Sequence, residues 1–102
     1  MKQYILCAAI WFNNYKHYQH QPKNIGSGIV VCGRRHHNCF ITYHSLAPKD
    51  IMNIVETGER SHIQGFLTSD NMFVDRKKAA KIAYNASQIT KPTKILFPED
   101  LY

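Results

Sequence analysis

The chain has 102 residues, enough for a single domain over 1–102 and too few for two. Its 44% hydrophobic and 20% charged residues exclude a disordered or fibrous protein, and no apolar run approaches the ~20 residues of a membrane-spanning helix. Thirteen Lys and Arg against seven Asp and Glu leave a net charge of +6, which favours an anionic partner, while the spread of the positives along the chain argues against simple coating of nucleic acid.

Tyr4 to Phe12 is a continuous apolar run and reads as a central strand. One preceding lysine and bulky aromatics at its end set it apart from a secretory leader. Asn13-Asn14 signals a turn, and Tyr15 to Pro22 is polar and aromatic, an exposed loop or edge strand. Asn24-Ile25-Gly26-Ser27 forms a second turn. Gly28 to Cys32 is a short β-branched strand that Gly33 stops. Phe40 to Leu46 reads as a helix, although its β-branched and aromatic residues also suit a strand. Pro48 closes it, and Pro48 to Gly58 suits a short helix with Ile51, Ile54 and Val55 on one face.

Gln64 to Val74 places two apolar pieces around Ser69-Asp70-Asn71, the pattern of a hairpin. Asp75 is a good N-cap for a helix from Arg76 to about Ser87. Ala79, Ala80, Ile82 and Ala83 give that helix a narrow stripe of mostly small residues for close packing on a sheet. Lys94 to Phe97 reads as a last short strand. The expected fold class is α+β: a small mixed β-sheet with one main helix, about 76–87, and one or two shorter helices packed on it.

The three cysteines, Cys7, Cys32 and Cys39, are odd in number and form no disulfide framework. Reduced thiols and a cytoplasmic setting are the simpler reading.

The strongest site candidate is Gly33, Arg34, Arg35, His36 and His37, which follow directly on a buried strand. A glycine at a strand end lets backbone N–H groups approach a ligand, and a helix starting there favours a phosphate. Two guanidiniums add bidentate donors, and two imidazoles add donors that strengthen below about pH 6.5. The bland alternative is a solvated basic turn. Cys32, His36, His37 and Cys39 are zinc-type ligands, but their spacing lacks a Cys-x2-Cys pair and a fourth ligand. No metal and no cofactor is expected, the cysteines packing as small apolar residues.

Cys39 beside a histidine, or His36 with His37 as acid and base, would give a hydrolase of phosphodiesters or esters. Paired His-x-Thr motifs are missing, with Thr42 to His44 a loose grouping, and carboxylates are scattered. Binding without catalytic residues is the favoured expectation.

Thr68, Ser69 and Arg76 form a second candidate region, their hydroxyls and guanidinium suited to ribose or phosphate oxygens. Turn chemistry accounts equally well for Ser69, Asp70 and Asn71. Arg76, a cation at a helix N-terminus, opposes the dipole and wants a partner to offset it. Among the aromatics, Phe12 suits the core, and Tyr15 and Tyr18 suit stacking on a base.

Cys32-Gly33-x-Arg35-His36-x-x-Cys39 is followed by Gly65-Phe66-x-Thr68-Ser69-x-x-x-Phe73-Val74-Asp75-Arg76-x-x-Ala79-x-x-Ile82-Ala83, then Gln88 and a closing Glu99-Asp100-Leu101-Tyr102. Across most of the chain this resembles a family of small phage and prophage proteins. The chain departs from it at Ser87, where the family has Gly, and at Pro98, where it has a polar residue.

The resemblance implies a phage setting and, by analogy with other small phage proteins, a counter-defence role. The expected function is sequestration, without turnover, of an anionic nucleotide-type immune signal such as a cyclic dinucleotide or an ADP-ribose derivative. A hydrolase of such signals and a protein-interaction inhibitor of a host factor are the rival classes. The expected partners are the nucleotide-type ligand and a second copy of the chain, since a homodimer would enclose a ligand that one small domain holds only shallowly. Nucleic acid is a less favoured partner and a membrane is not expected.

Overall fold

The computed structural model describes residues 3–13, 16–46 and 62–101. Tyr15 and the helix expected over 48–58 lie outside them.

Four strands form one sheet: β1 (Ile5–Phe12), β2 (Ile29–Gly33), β3 (His62–Thr68) and β4 (Phe73–Asp75), in the order β2-β1-β3-β4. Two helices, α1 (His36–Leu46) and α2 (Arg76–Asn85), complete a small α+β fold. Every ladder is antiparallel, so the sheet is not mixed. The reason is topological. The chain passes from β2 through α1 to β3, but β1 stands between those two strands and pairs antiparallel with each.

Alternation along β1 separates the two faces. Ala8, Ile10 and Phe12 point to the helices. Ala8 packs with Ile5, Phe66, Val74, Leu96 and the buried Ala79, Ala80 and Ala83 of α2. Ile10 and Phe12 pack with Val31, Cys39 and Tyr43 under α1, the rings of Phe12 and Tyr43 stacked with centroids 4.0 Å apart. Trp11 and Phe73 lie on the opposite face as an edge-to-face pair at 6.2 Å. Gly65 makes that pair fit, since a Cβ there would stand 2.1 Å from the Val74 carbonyl oxygen and 2.8 Å from the Phe73 ring. The segment 16–28 is tied to this face. Trp11 Nε1 donates to the Ser27 carbonyl, and the Asn24 amide exchanges two hydrogen bonds with the Phe73 backbone.

Both helix starts are set locally. Asn38 Oδ1 accepts the Arg35 N–H at 3.1 Å, so α1 begins at His36, earlier than the expected Phe40. Its first turn crosses Gly33, where a Cβ would meet Asn38 and Cys39 at 3.1–3.3 Å. Asp75 caps α2 as expected, its carboxylate accepting the Lys78 N–H at 2.8 Å. The end of α2 is a left-handed cap. Ser87 has φ 59°, Gln88 N–H bonds the Ala83 carbonyl, and Ser87 N–H bonds the Tyr84 carbonyl. The Gln88 amide then grips both backbone polar groups of Ile5, tying the helix end to the start of β1.

Lys94 to Phe97 is not a strand. The Leu96 N–H bonds the Arg76 carbonyl at 3.1 Å and its side chain is fully buried, so this segment packs against the first turn of α2 instead of extending the sheet. β4, the strand at that edge, has only three residues before the chain turns into α2.

Candidate functional site: an oriented arginine between two helix starts

The first residues of the two helices meet, side chain to side chain. His36 opens α1 and is 8% exposed, and Arg76 opens α2. His36 Nδ1 lies 3.2 Å from Arg76 Nη2, and His36 Nε2 lies 2.9 Å from the Gly65 carbonyl oxygen on β3. Arg76 Nη2 also donates to Gln64 Oε1. The guanidinium stands over the Phe97 ring, 5.0 Å from its centroid. Gln64, Asp75, Arg76, Lys77, Ile95 and Phe97 line a pocket of about 310 Å³. That volume is at the small end of ligand sites.

The electrostatics favour an anion. Neither helix has an acidic residue in its first turn, and the positive dipole end of α2 is offset only by the capping Asp75 carboxylate. The Asp75 carboxylate is turned to the helix N–H groups. Among the described residues Arg76 has neutral partners only. Arg35 borders the cluster from the other side, its Nε 3.6 Å from the exposed carboxylate of Glu99. The pair joins a largely buried arginine side chain to a carboxylate that stands in solvent. Burial holds the His36 pKa below its ordinary value, and Arg76 adds to this; the Gly65 carbonyl and Glu99 oppose it.

His36 and Arg76, two of the candidates read from the sequence, therefore meet in one cluster, while Arg35, next to His36 in the chain, pairs with Glu99. Arg34 and His37 are exposed beside it. Gly33 serves the close crossing of α1. Thr68 is fully buried, and its hydroxyl accepts the N–H groups of Asp70 and Met72. Ser69 pairs with the Tyr4 backbone. The Thr68 hydroxyl is thus committed to the β3–β4 turn and the Ser69 hydroxyl to the backbone before β1, both at the end of β3 away from Gln64. Tyr18 is half-buried in the 16–28 segment, which supplies no residue to the cluster. Sequence reasoning missed Gln64, Lys77, Ile95 and Phe97 as site residues. The signal available was a large aromatic, Phe97, directly before Pro98 and the acidic Glu99-Asp100.

The groups suggested for chemistry lie elsewhere or are occupied. Cys39 is fully buried and its thiol is pushed up to about 11, chiefly by burial. Cys7 and Cys32 are hydrogen-bonded neighbours on β1 and β2, which lowers the Cys7 pKa and raises that of Cys32. Among the described residues no three His, Cys, Asp or Glu side chains are grouped to hold a metal ion, and no helix is long and apolar enough to cross a membrane. A second cavity, about 360 Å³, is lined by 88–93 and Asp100.

Fold and cleft together define a small α+β protein with an oriented cation where two helices begin. The chain belongs to the phage T4 y16D protein family, whose model matches residues 4–102. No curated protein and no solved structure matches it.

Proposed function

We propose that this phage protein binds an anionic, nucleotide-type ligand in the Arg76 pocket and holds it without turnover. The ligand class is an immune signal such as a cyclic dinucleotide or an ADP-ribose derivative, sequestered in the cytoplasm of the infected host. The observation that carries the reading is the Arg76 guanidinium, fixed by two neutral acceptors at the meeting point of two helix N-termini. A cation so placed has its orientation set before the ligand arrives, which reduces the entropy lost on binding. Lys77 adds a second charge and the 45%-exposed Phe97 ring an apolar surface for a base or ribose. A homodimer would deepen so small a pocket.

Storage is favoured over hydrolysis because the reactive groups are engaged. His36 has a partner on each ring nitrogen, and the Cys39 thiol is buried and protonated at neutral pH.

The test is thermal shift with nucleoside phosphates, cyclic dinucleotides and ADP-ribose derivatives, on wild type and Arg76→Ala. A ligand at about 100 times its Kd should add roughly 2.7 kcal/mol of stability. Arg76→Ala should lose roughly ten- to a hundredfold in affinity, the effect of a charge-assisted hydrogen bond, in a protein whose circular dichroism shows it still folded. After heat denaturation the ligand should return intact. A product in its place would mean a hydrolase, and equal binding by Arg76→Ala would put the ligand elsewhere.

A further inference from the structure

We infer that His36 does not contact the anion but acts as a positioning residue, its neutral ring holding Arg76 in the binding pose, so that acid weakens binding. This rests on the proposed function and gives that site its regulation.

The tautomer follows from the partners. A carbonyl oxygen only accepts, so the nitrogen facing Gly65, Nε2, carries the ring proton. A guanidinium only donates, so Nδ1, which faces Arg76 Nη2, carries a lone pair. The ring is therefore neutral, with one donor and one acceptor, both in use. Nη2 in turn gives its two protons to His36 Nδ1 and Gln64 Oε1. Among the described residues Nη1 and Nε have no hydrogen-bond partner and are left to grip an oxyanion.

Protonating Nδ1 reverses this. The acceptor becomes a donor that confronts a donor, and two positive charges stand side by side in a buried place. Gln64 alone then holds the guanidinium, which turns from its pose. The groups facing His36 can be named element by element. α2 contributes Arg76, which opposes protonation, and the C-terminal segment contributes Glu99, which favours it. β3 contributes the Gly65 carbonyl and the Phe66 ring, edge-on at 5.4 Å, neither of which titrates. Burial is the largest influence and lowers the pKa of the ring below its ordinary value. A histidine that touched the anion directly would give the opposite sign, with binding tighter in acid.

Sulfate is the probe, because its charge is constant from pH 5 to 8. Binding is followed by NMR at the Arg76 Nε resonance, so that other basic residues do not contribute, and the His36 ring nitrogens are observed in the same samples. The ligand-free ring should be the Nε2–H tautomer at pH 7.5. Sulfate affinity at Arg76 should fall roughly three- to tenfold once His36 is protonated, the effect of one hydrogen bond. His36→Gln can donate to Gly65 and accept from Arg76 without titrating, so it should keep the binding and flatten its pH dependence. His36→Ala should bind weakly at every pH.

An Nδ1–H ring at neutral pH overturns the inference. So does sulfate affinity that rises as His36 protonates, or a His36→Gln protein that retains the wild-type pH profile; either leaves the proposed binding intact. No sulfate response at Arg76 at any pH defeats the proposed function and the inference together.

Discussion

His36 Nε2 and the Gly65 carbonyl oxygen, 2.9 Å apart, join the first turn of α1 to a central strand. The other side of Gly65 receives the Phe73 ring, so one residue without a side chain supports the cleft and the Trp11–Phe73 pair at once. A substitution at Gly65 is felt on both faces of the sheet.

Gly65→Ala should destabilise the protein by more than the ~1–3 kcal/mol of ordinary overpacking, because the added carbon meets backbone at 2.1 Å, which cannot turn away. Urea unfolding monitored by Trp11 fluorescence measures this. A loss under ~0.5 kcal/mol would show that β3 and β4 are not held as close as described.

Stability should fall as pH drops below about 6.5. The His36 pKa is lowered on folding by burial, so between its folded value and the ordinary 6.5 the unfolded chain binds more protons. The contribution is complete above 6.5 and is lost as pH falls through the folded value. Comparing Tm from pH 7.5 to 5 for wild type and His36→Gln isolates it. The variant should show the shallower decline.

Iodoacetamide at pH 8 should label the native protein at Cys7 first and spare Cys39. The Cys32 thiol, hydrogen-bonded to Cys7, lowers the Cys7 pKa, whereas burial pushes Cys39 up to about 11. A fresh sample unfolded without reductant before labelling should show three alkylated thiols by mass. Only one would mean that a disulfide has formed.

Ser87→Gly should raise stability by on the order of 0.5–1 kcal/mol. Ser87 holds φ 59° in the α2 cap, a conformation that costs a side-chain-bearing residue roughly 1–2 kcal/mol and glycine almost nothing, less the backbone entropy that glycine loses. The Gln88 hydrogen bonds to Ile5 should be unaffected, so thermal unfolding reads the cap alone.

The elements legible in the sequence are those whose causes lie within a few residues. The apolar run of β1, the β3–β4 hairpin, the Asp75 cap and the alanine stripe of α2 each follow from neighbours in the chain, and each formed near where it was expected. Arg76 could be marked for an anion because its conflict with the helix dipole is local as well.

Partners distant in sequence decided the rest. Arg76 is oriented by Gln64, 12 residues away, and His36, 40 away, and His36 by Gly65, 29 away. In the sequence His36 is one of four consecutive basic or titratable residues. Only packing shows that it is buried and neutral while Arg34 and His37 face water. Thr68 has a hydroxyl suited to a ligand, yet the turn that follows takes it. Lys94 to Phe97 has strand-forming residues, but the sheet edge beside it is too short, and Leu96 is drawn to the start of α2 instead. Composition fixes what a side chain can do; the tertiary structure decides which of its donors and acceptors remain for a ligand.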